Sequence, residues 1–176
     1  MAMTPDLESA ALTMFRSKAG LKNEDPSIPR LVIDTNVLLD LLFWHDPHMS
    51  ALEAGLAAGR WIALRDESTL LECVDVLTRL NFWGESEEAH ARILSVVGAW
   101  CDRTEVVPES LVQSVGSTVP VKCKDPLDQK FLELVYAAKA PYLLTKDKLV
   151  LRAGKRLKKD GLLVMTPEAF LAQAAA

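Results

Sequence analysis

The stretch PLDQKFLELVYAAKAPYLLTKDKLVLRAGKRLKKDGLLVMTPEAFLAQA (126–174) decides the fold. It reads as a helix over 126–139, a strand over 141–145, a helix over 148–159, a strand over 162–166 and a closing helix over 167–174. Antiparallel neighbours can be joined by a two-residue turn, whereas parallel neighbours need a crossover of a dozen or so residues. Helices of that length between short apolar strands therefore imply βα units, with helices covering both faces of the sheet. The expected fold class is α/β: a three-layer α/β/α sandwich with a mostly parallel central sheet.

The same alternation continues towards the N-terminus. TEVVP (104–108) reads as a strand ended by proline, and residues 109–124 as irregular. Residues 69–82 and 86–101 have helical spacing, through Leu70, Leu71, Val74 and Leu77 in one and Ala91, Leu94, Val97 and Trp100 in the other. WIAL (61–64) is a strand candidate, and 48–58 a helix with Gly59 as its stop. RLVID (30–34) is a short β-branched run, and the apolar residues 35–43 begin a helix broken at Asp46-Pro47. Ahead of it, Leu7, Ala10, Ala11, Met14 and Phe15 predict an amphipathic helix, followed by the polar connector GLKNEDPSIP. The expected division is a helical leader and linker over 1–29 and a globular body over 30–172.

Composition narrows the class. The chain has 176 residues, 49% of them hydrophobic and 25% charged, with a mean hydropathy of +0.11. That suits one packed domain and excludes a disordered chain. No apolar run approaches the roughly 20 residues that span a bilayer, and the start MAMTPDLESA lacks the pattern of a secretory signal, so no membrane or export is expected. Cys73, Cys101 and Cys123 are odd in number and have no CxxC spacing, which suits buried thiols in a reducing cytoplasm. His45 and His48 have no second ligand cluster, so HDPH reads as loop chemistry. The net charge of −4 alone argues mildly against a nucleic-acid partner.

Ligands of an open parallel sheet sit beyond the carboxyl ends of its strands. Asp34 ends the LVI run, with Asn36 two residues on, and Asp147 lies just past YLLT. Glu72 and Asp128 fall in the first turns of the helices expected from about 69 and 126. Each acid has a structural reading as well. Thr69-x-x-Glu72 fits a capping box, Asp125-Pro126 an N-cap, Asp128 a dipole partner and Asp147 another cap. Asp34 resists that reading, because it stands between a buried strand and the apolar run VLLDLLF, where an unpaired carboxylate is costly. Clustered carboxylates need a cation, and hard oxygen ligands favour Mg²⁺ or Mn²⁺. Such a cluster supports metal-assisted hydrolysis of a phosphodiester.

The segments LVIDTNVLLDLL (31–42), TLLECVDVLTRL (69–80), KDPLDQKFLELVYAAKAPYLLTKD (124–147) and GLLVMTPEAFL (161–171) occur in that order. Together, over about residues 30–172, they resemble the PIN domain family, especially its VapC-like branch of toxin components from toxin–antitoxin pairs. The resemblance implies an α/β/α metal-dependent ribonuclease. It makes Asp34 the first acid, Glu72 the helical glutamate and Asp147 the acid of the final T-x-D. The remaining acid is Asp128 or Asp125, with Asp128 favoured. Asn36, Asp125 and Thr145 would support the ligands, and Mg²⁺ or Mn²⁺ would be the cofactor. A haloacid-dehalogenase-type phosphatase needs a second aspartate where this chain has Asn36.

The reading is therefore a cytoplasmic endoribonuclease acting on single-stranded RNA, with an antitoxin and a second copy of the chain as further partners. The alternative is a PIN scaffold that mainly binds protein or RNA. Charge distribution bears on the substrate. KDKLVLRAGKRLKK (146–159) holds seven basic residues against Asp147 alone, a net of +6. Lys146, Lys148, Arg152, Lys155, Arg156 and Lys159 are accordingly candidates to steer RNA, with a solvated helix face as the plain alternative.

Overall fold

A computed structural model of the chain describes residues 3–116 and 118–175. The strands among them, β1 (Arg30–Ile33), β2 (Ile62–Arg65), β3 (Glu105–Val106), β4 (Tyr142–Leu144) and β5 (Leu163–Met165), form one sheet in the order β3-β2-β1-β4-β5. Every pairing is parallel. β1 is the central strand, with Leu31 in register with Ala63 on one side and Tyr142 on the other. The α/β class is as the sequence implies.

The helices are α1 (Pro5–Ser17), α2 (Thr35–Leu42), α3 (Ser50–Ala57), α4 (Glu67–Leu80), α5 (Glu87–Asp102), α6 (Glu109–Gly116), α7 (Gln129–Ala137), α8 (Lys148–Gly154) and α9 (Pro167–Ala174). They cover both sheet faces, because alternate residues of a strand point to opposite sides. Leu31, Ile33 and Leu144 enter a core with Leu41 of α2, Leu70 and Leu77 of α4, Val97 of α5 and Phe170 of α9. Val32 and Leu143 enter the other core, with Val112 of α6, Phe131 and Val135 of α7 and Val150 of α8. The leader helix α1 packs on α4 and α5, burying Leu7, Ala11 and Phe15 in the first of these cores.

Several local expectations are corrected. The segment 109–124 opens with α6, whose only buried residue is Val112, too little to show as a periodic stripe. The strand at 104–108 shrinks to Glu105–Val106, because the Thr104 hydroxyl donates back to the carbonyls of Trp100 and Cys101 at the end of α5. The helix expected over 126–139 begins with a 3₁₀ turn, Pro126–Asp128. That over 148–159 leaves α geometry after Gly154 and continues as 3₁₀ from Lys155 to Asp160. Gly154 lies against β5, where a Cβ would come within 2.2 Å of a Val164 methyl. The capping box at α4 is also displaced. Its N-cap is Asp66, paired with Thr69 at 2.8 Å, so Glu72 is free of any capping role.

Candidate metal-binding edge

The strand order reverses between β1 and β4: the chain leaves one towards β2 and the other towards β5. Diverging connections leave a crevice beyond the carboxyl ends of strands at such a switch point. Asp34 follows β1 and Thr145 follows β4, and the two meet there. The Asp34 amide donates to the Leu144 carbonyl at 2.9 Å, tying the two strand ends together.

Asp34 occupies the N-cap position of α2, yet its side chain makes no capping hydrogen bond. Its Oδ2 instead accepts from the Thr145 hydroxyl and, at 3.0 Å, from the Asn36 amide. Thr145 is fully buried and its Oγ accepts from the Asp147 amide at 2.9 Å. Asn36 accepts from the Lys146 amide at 3.3 Å. Both supporting residues thus link the DTN turn to the TKD turn. Burial, above all, pushes the Asp34 carboxyl up to about 6; the charges of Asp128 and Glu72 add to that, and the Thr145 hydrogen bond opposes it.

The other acids divide by what their oxygens do. Asp147 caps α8, its Oδ1 accepting from Leu149 N at 2.6 Å and Val150 N at 3.0 Å. Asp125 caps the 3₁₀ turn through Leu127 N at 2.9 Å. Asp128, at the N-cap of α7, caps nothing. Burial followed by the charges of Asp125, Asp147 and Glu72 also raises it to about 6, against the pull of Lys130. Glu72, on α4, pairs through Oε2 with Lys130.

Asp34, Glu72, Asp128 and Asp147 therefore come from four separate elements and reach close enough for their charges to interact. They do not form a tight nest: among the described residues no three His, Cys, Asp or Glu side chains stand close enough together to hold an ion. The donor set nonetheless fits a hard divalent cation. It is all oxygen, two of its acids hold protons more tightly than free carboxylates, and Lys130 is its one direct side-chain counter-ion among the described residues. A depression of about 750 Å³ opens at Glu72, Asp125 and Asp128 and runs past Asp75 to Leu12 of the leader helix. Asp34 and Asp147 do not line it; Asp34 is only 3% exposed.

A family model described as PIN domain matches residues 30–149, a span that includes all four acids. The chain belongs to the PIN domain family. PIN domains are of nuclease type, generally use divalent metal ions and act on nucleic acid. No curated protein matches the chain. The match to the PIN model begins after the leader helix and ends at the start of α8, before the edge strand β5 and α9.

The basic candidates scatter on this PIN scaffold. Lys146 pairs with Asp40 of α2 at 2.6 Å. Lys148, Lys155 and Lys159 are exposed, while Arg152 and Arg156 border a separate depression with Lys122 and Lys124. Sequence reading missed Lys130, although its place two residues after Asp128 was a usable signal. It also missed Lys122 and Lys124, which fall in the segment read as irregular. All three cysteines are buried and unpaired, and no helix among the described residues is long and apolar enough to cross a membrane.

Proposed function

We propose that this PIN domain is a metal-dependent endoribonuclease that hydrolyses single-stranded RNA in the cytoplasm as the toxin of a toxin–antitoxin pair. The observation that carries the reading is the Asp34 carboxylate. It sits buried at the switch point, free of capping duty and held across it by Thr145 and Asn36. A side chain fixed from beyond the end of β4 and from α2 is preorganised, as metal ligands generally are. Glu72, Asp128 and Asp147 complete the ligand set, with Asp128 preferred over Asp125 because its charge, with that of Glu72, acts on Asp34.

Mg²⁺ or Mn²⁺ bound there would supply an activated water and charge neutralisation for phosphodiester hydrolysis. Thr145 and Asn36 orient Asp34 through Oδ2. Asp147 uses Oδ1 for the helix, and among the described residues its Oδ2 accepts no hydrogen bond. Lys130 neutralises Glu72 here; were Glu72 to hold the cation, Lys130 would supply a positive charge beside the site. An antitoxin and a second copy of the chain are the proposed protein partners.

A binding-module reading is favoured by one observation, the Lys130–Glu72 pair, since an ammonium group can neutralise an acid in place of a metal. Incubation of labelled single-stranded RNA with the protein and Mn²⁺, with EDTA, and with the Asp34→Asn variant separates the two. Cleavage by the wild type alone, abolished by EDTA, supports the ribonuclease. RNA left intact by the wild type supports the module.

A further inference from the structure

Lys122, Lys124, Arg152 and Arg156 surround a small depression of about 210 Å³, floored by Val121, Leu149 and Ala153. No acid lines it. The four cations come from two places that share no local helix pattern. In the segment before Asp125, Val121 and Cys123 turn into the core while Lys122 and Lys124 turn out, the alternation of an extended chain. Gln129 fixes that segment: its Oε1 accepts from Cys123 N at 2.7 Å and its Nε2 donates to the Val121 carbonyl at 3.2 Å. From the other side, Leu149, Arg152 and Ala153 of α8 and Arg156 of the 3₁₀ segment after it line the depression.

Charges arranged only for folding would be paired or dispersed. Among the described residues none of these four has a carboxylate partner, a trait shared with other surface cations such as Lys22 and Arg92, but these four converge on one depression. Arg152 on α8 and Arg156 on the 3₁₀ segment that follows it bring like charges to one depression. The basic helix face alone has the plain reading given above. Two lysines brought onto it from another segment do not. The depression also borders the acidic edge on both elements: Lys124 precedes Asp125, and α8 begins directly after Asp147.

We propose that these four residues form a phosphate-binding subsite that seats the backbone of single-stranded RNA next to the scissile bond. The inference rests on the ribonuclease reading for the identity of the polyanion. Arg152 lies five residues beyond Asp147, about 7.5 Å along the helix axis, so the subsite holds a neighbouring phosphate rather than the reacting one. Its floor is aliphatic, with no aromatic ring for a base to stack on. The subsite therefore provides affinity and direction of entry, and no base preference.

The test measures binding apart from cleavage. Anisotropy of a fluorescein-labelled single-stranded oligoribonucleotide, with EDTA present and KCl varied, gives the salt slope of the dissociation constant for the full chain. Each phosphate contact on a single strand contributes about 0.7 to that slope. The K122A/K124A/R152A/R156A variant should lose about 2 to 3 from the slope, and each double variant roughly half of that. K122R/K124R, which keeps the charge, should retain the wild-type slope, and so should a K22A/R92A control in exposed cations elsewhere. An unchanged slope in the quadruple variant overturns the subsite, as does an equal loss in the control. Cleavage with Mn²⁺ is read separately. If the slope falls as stated while Asp34→Asn cuts RNA normally, the subsite stands and the catalytic assignment fails. If the slope is unchanged while Asp34→Asn is inert, the reverse holds.

Discussion

Asp34 and Asp66 occupy equivalent places and do opposite things. Each follows a strand, β1 or β2, each begins a helix, α2 or α4, and each is almost fully buried. Burial is the leading cause that raises the carboxyl of each. Asp66 spends its Oδ1 locally, on the backbone and hydroxyl of Thr69, three residues away. Asp34 leaves its own helix uncapped and accepts from Thr145, 111 residues away. An aspartate at a strand end thus caps its own helix or is left free to do other work, according to where its hydrogen bonds originate. The Asp34 carboxylate is held both from beyond the end of β4, by Thr145, and from its own helix, by Asn36.

The largest effect that separates the two is on cleavage. Asp34→Asn should lower the rate more than about a hundredfold, beyond the 10–100-fold typical of outer partners of a metal site. Asp66→Asn should stay within about threefold, since asparagine caps as well as aspartate. Equal losses in the two variants would erase the distinction. Next in size is Thr145→Val, which removes the hydrogen bond that opposes the rise of Asp34. Its rate should fall about 10- to 100-fold, and the acidic limb of its pH–rate profile should move to higher pH. A lower rate with an unmoved limb would make Thr145 a packing residue only.

Stability should show the contrast with the sign reversed. The folded chain holds the Asp34 proton up to about pH 6, whereas a free aspartate loses it near 4. The contribution of this group is therefore full below about pH 4 and lost as pH rises through about 6. In metal-free protein, Asp34→Asn should be more stable than wild type at pH 7.5, by up to about 3 kcal/mol, and nearly equal to it at pH 4. Asp66→Ala should instead lose about 1 kcal/mol with its cap. Urea denaturation at the two pH values measures both. A destabilised Asp34→Asn at pH 7.5 would show that the carboxylate serves folding.

Much of this contrast was hidden in the sequence. The alternation of apolar runs and helices was enough for the parallel sheet, and its order put Asp34 and Asp147 at strand ends. Capping was harder to read. Thr69-x-x-Glu72 matches the box pattern, but the helix starts two residues earlier, with Asp66 as the cap and Thr69 at the third helical position. A shift that small is invisible to periodicity and decides whether Glu72 caps or faces Lys130. Asp125 and Asp128 could not be separated by residue type, because only their placement in the fold distinguishes them. The Lys122–Lys124 segment lacks any helical stripe, since its order comes from the side chain of Gln129.

That last pair of acids gives the smallest predicted effect. Asp125→Asn should keep the thermal shift produced by Mn²⁺, because asparagine can still cap the turn. Asp128→Asn should reduce the shift by a few degrees. The opposite ranking would exchange their roles.

The central claim is that the acids gathered at the β1–β4 switch point hold a divalent cation for RNA hydrolysis. A titration of the full chain with Mn²⁺, followed by thermal denaturation beside an RNA-cleavage time course, tests it most directly. Stabilisation and cleavage should rise together with Mn²⁺, and Asp34→Asn should abolish both while remaining folded. Cleavage that persists in Asp34→Asn, or a wild type that Mn²⁺ neither stabilises nor activates, would contradict it.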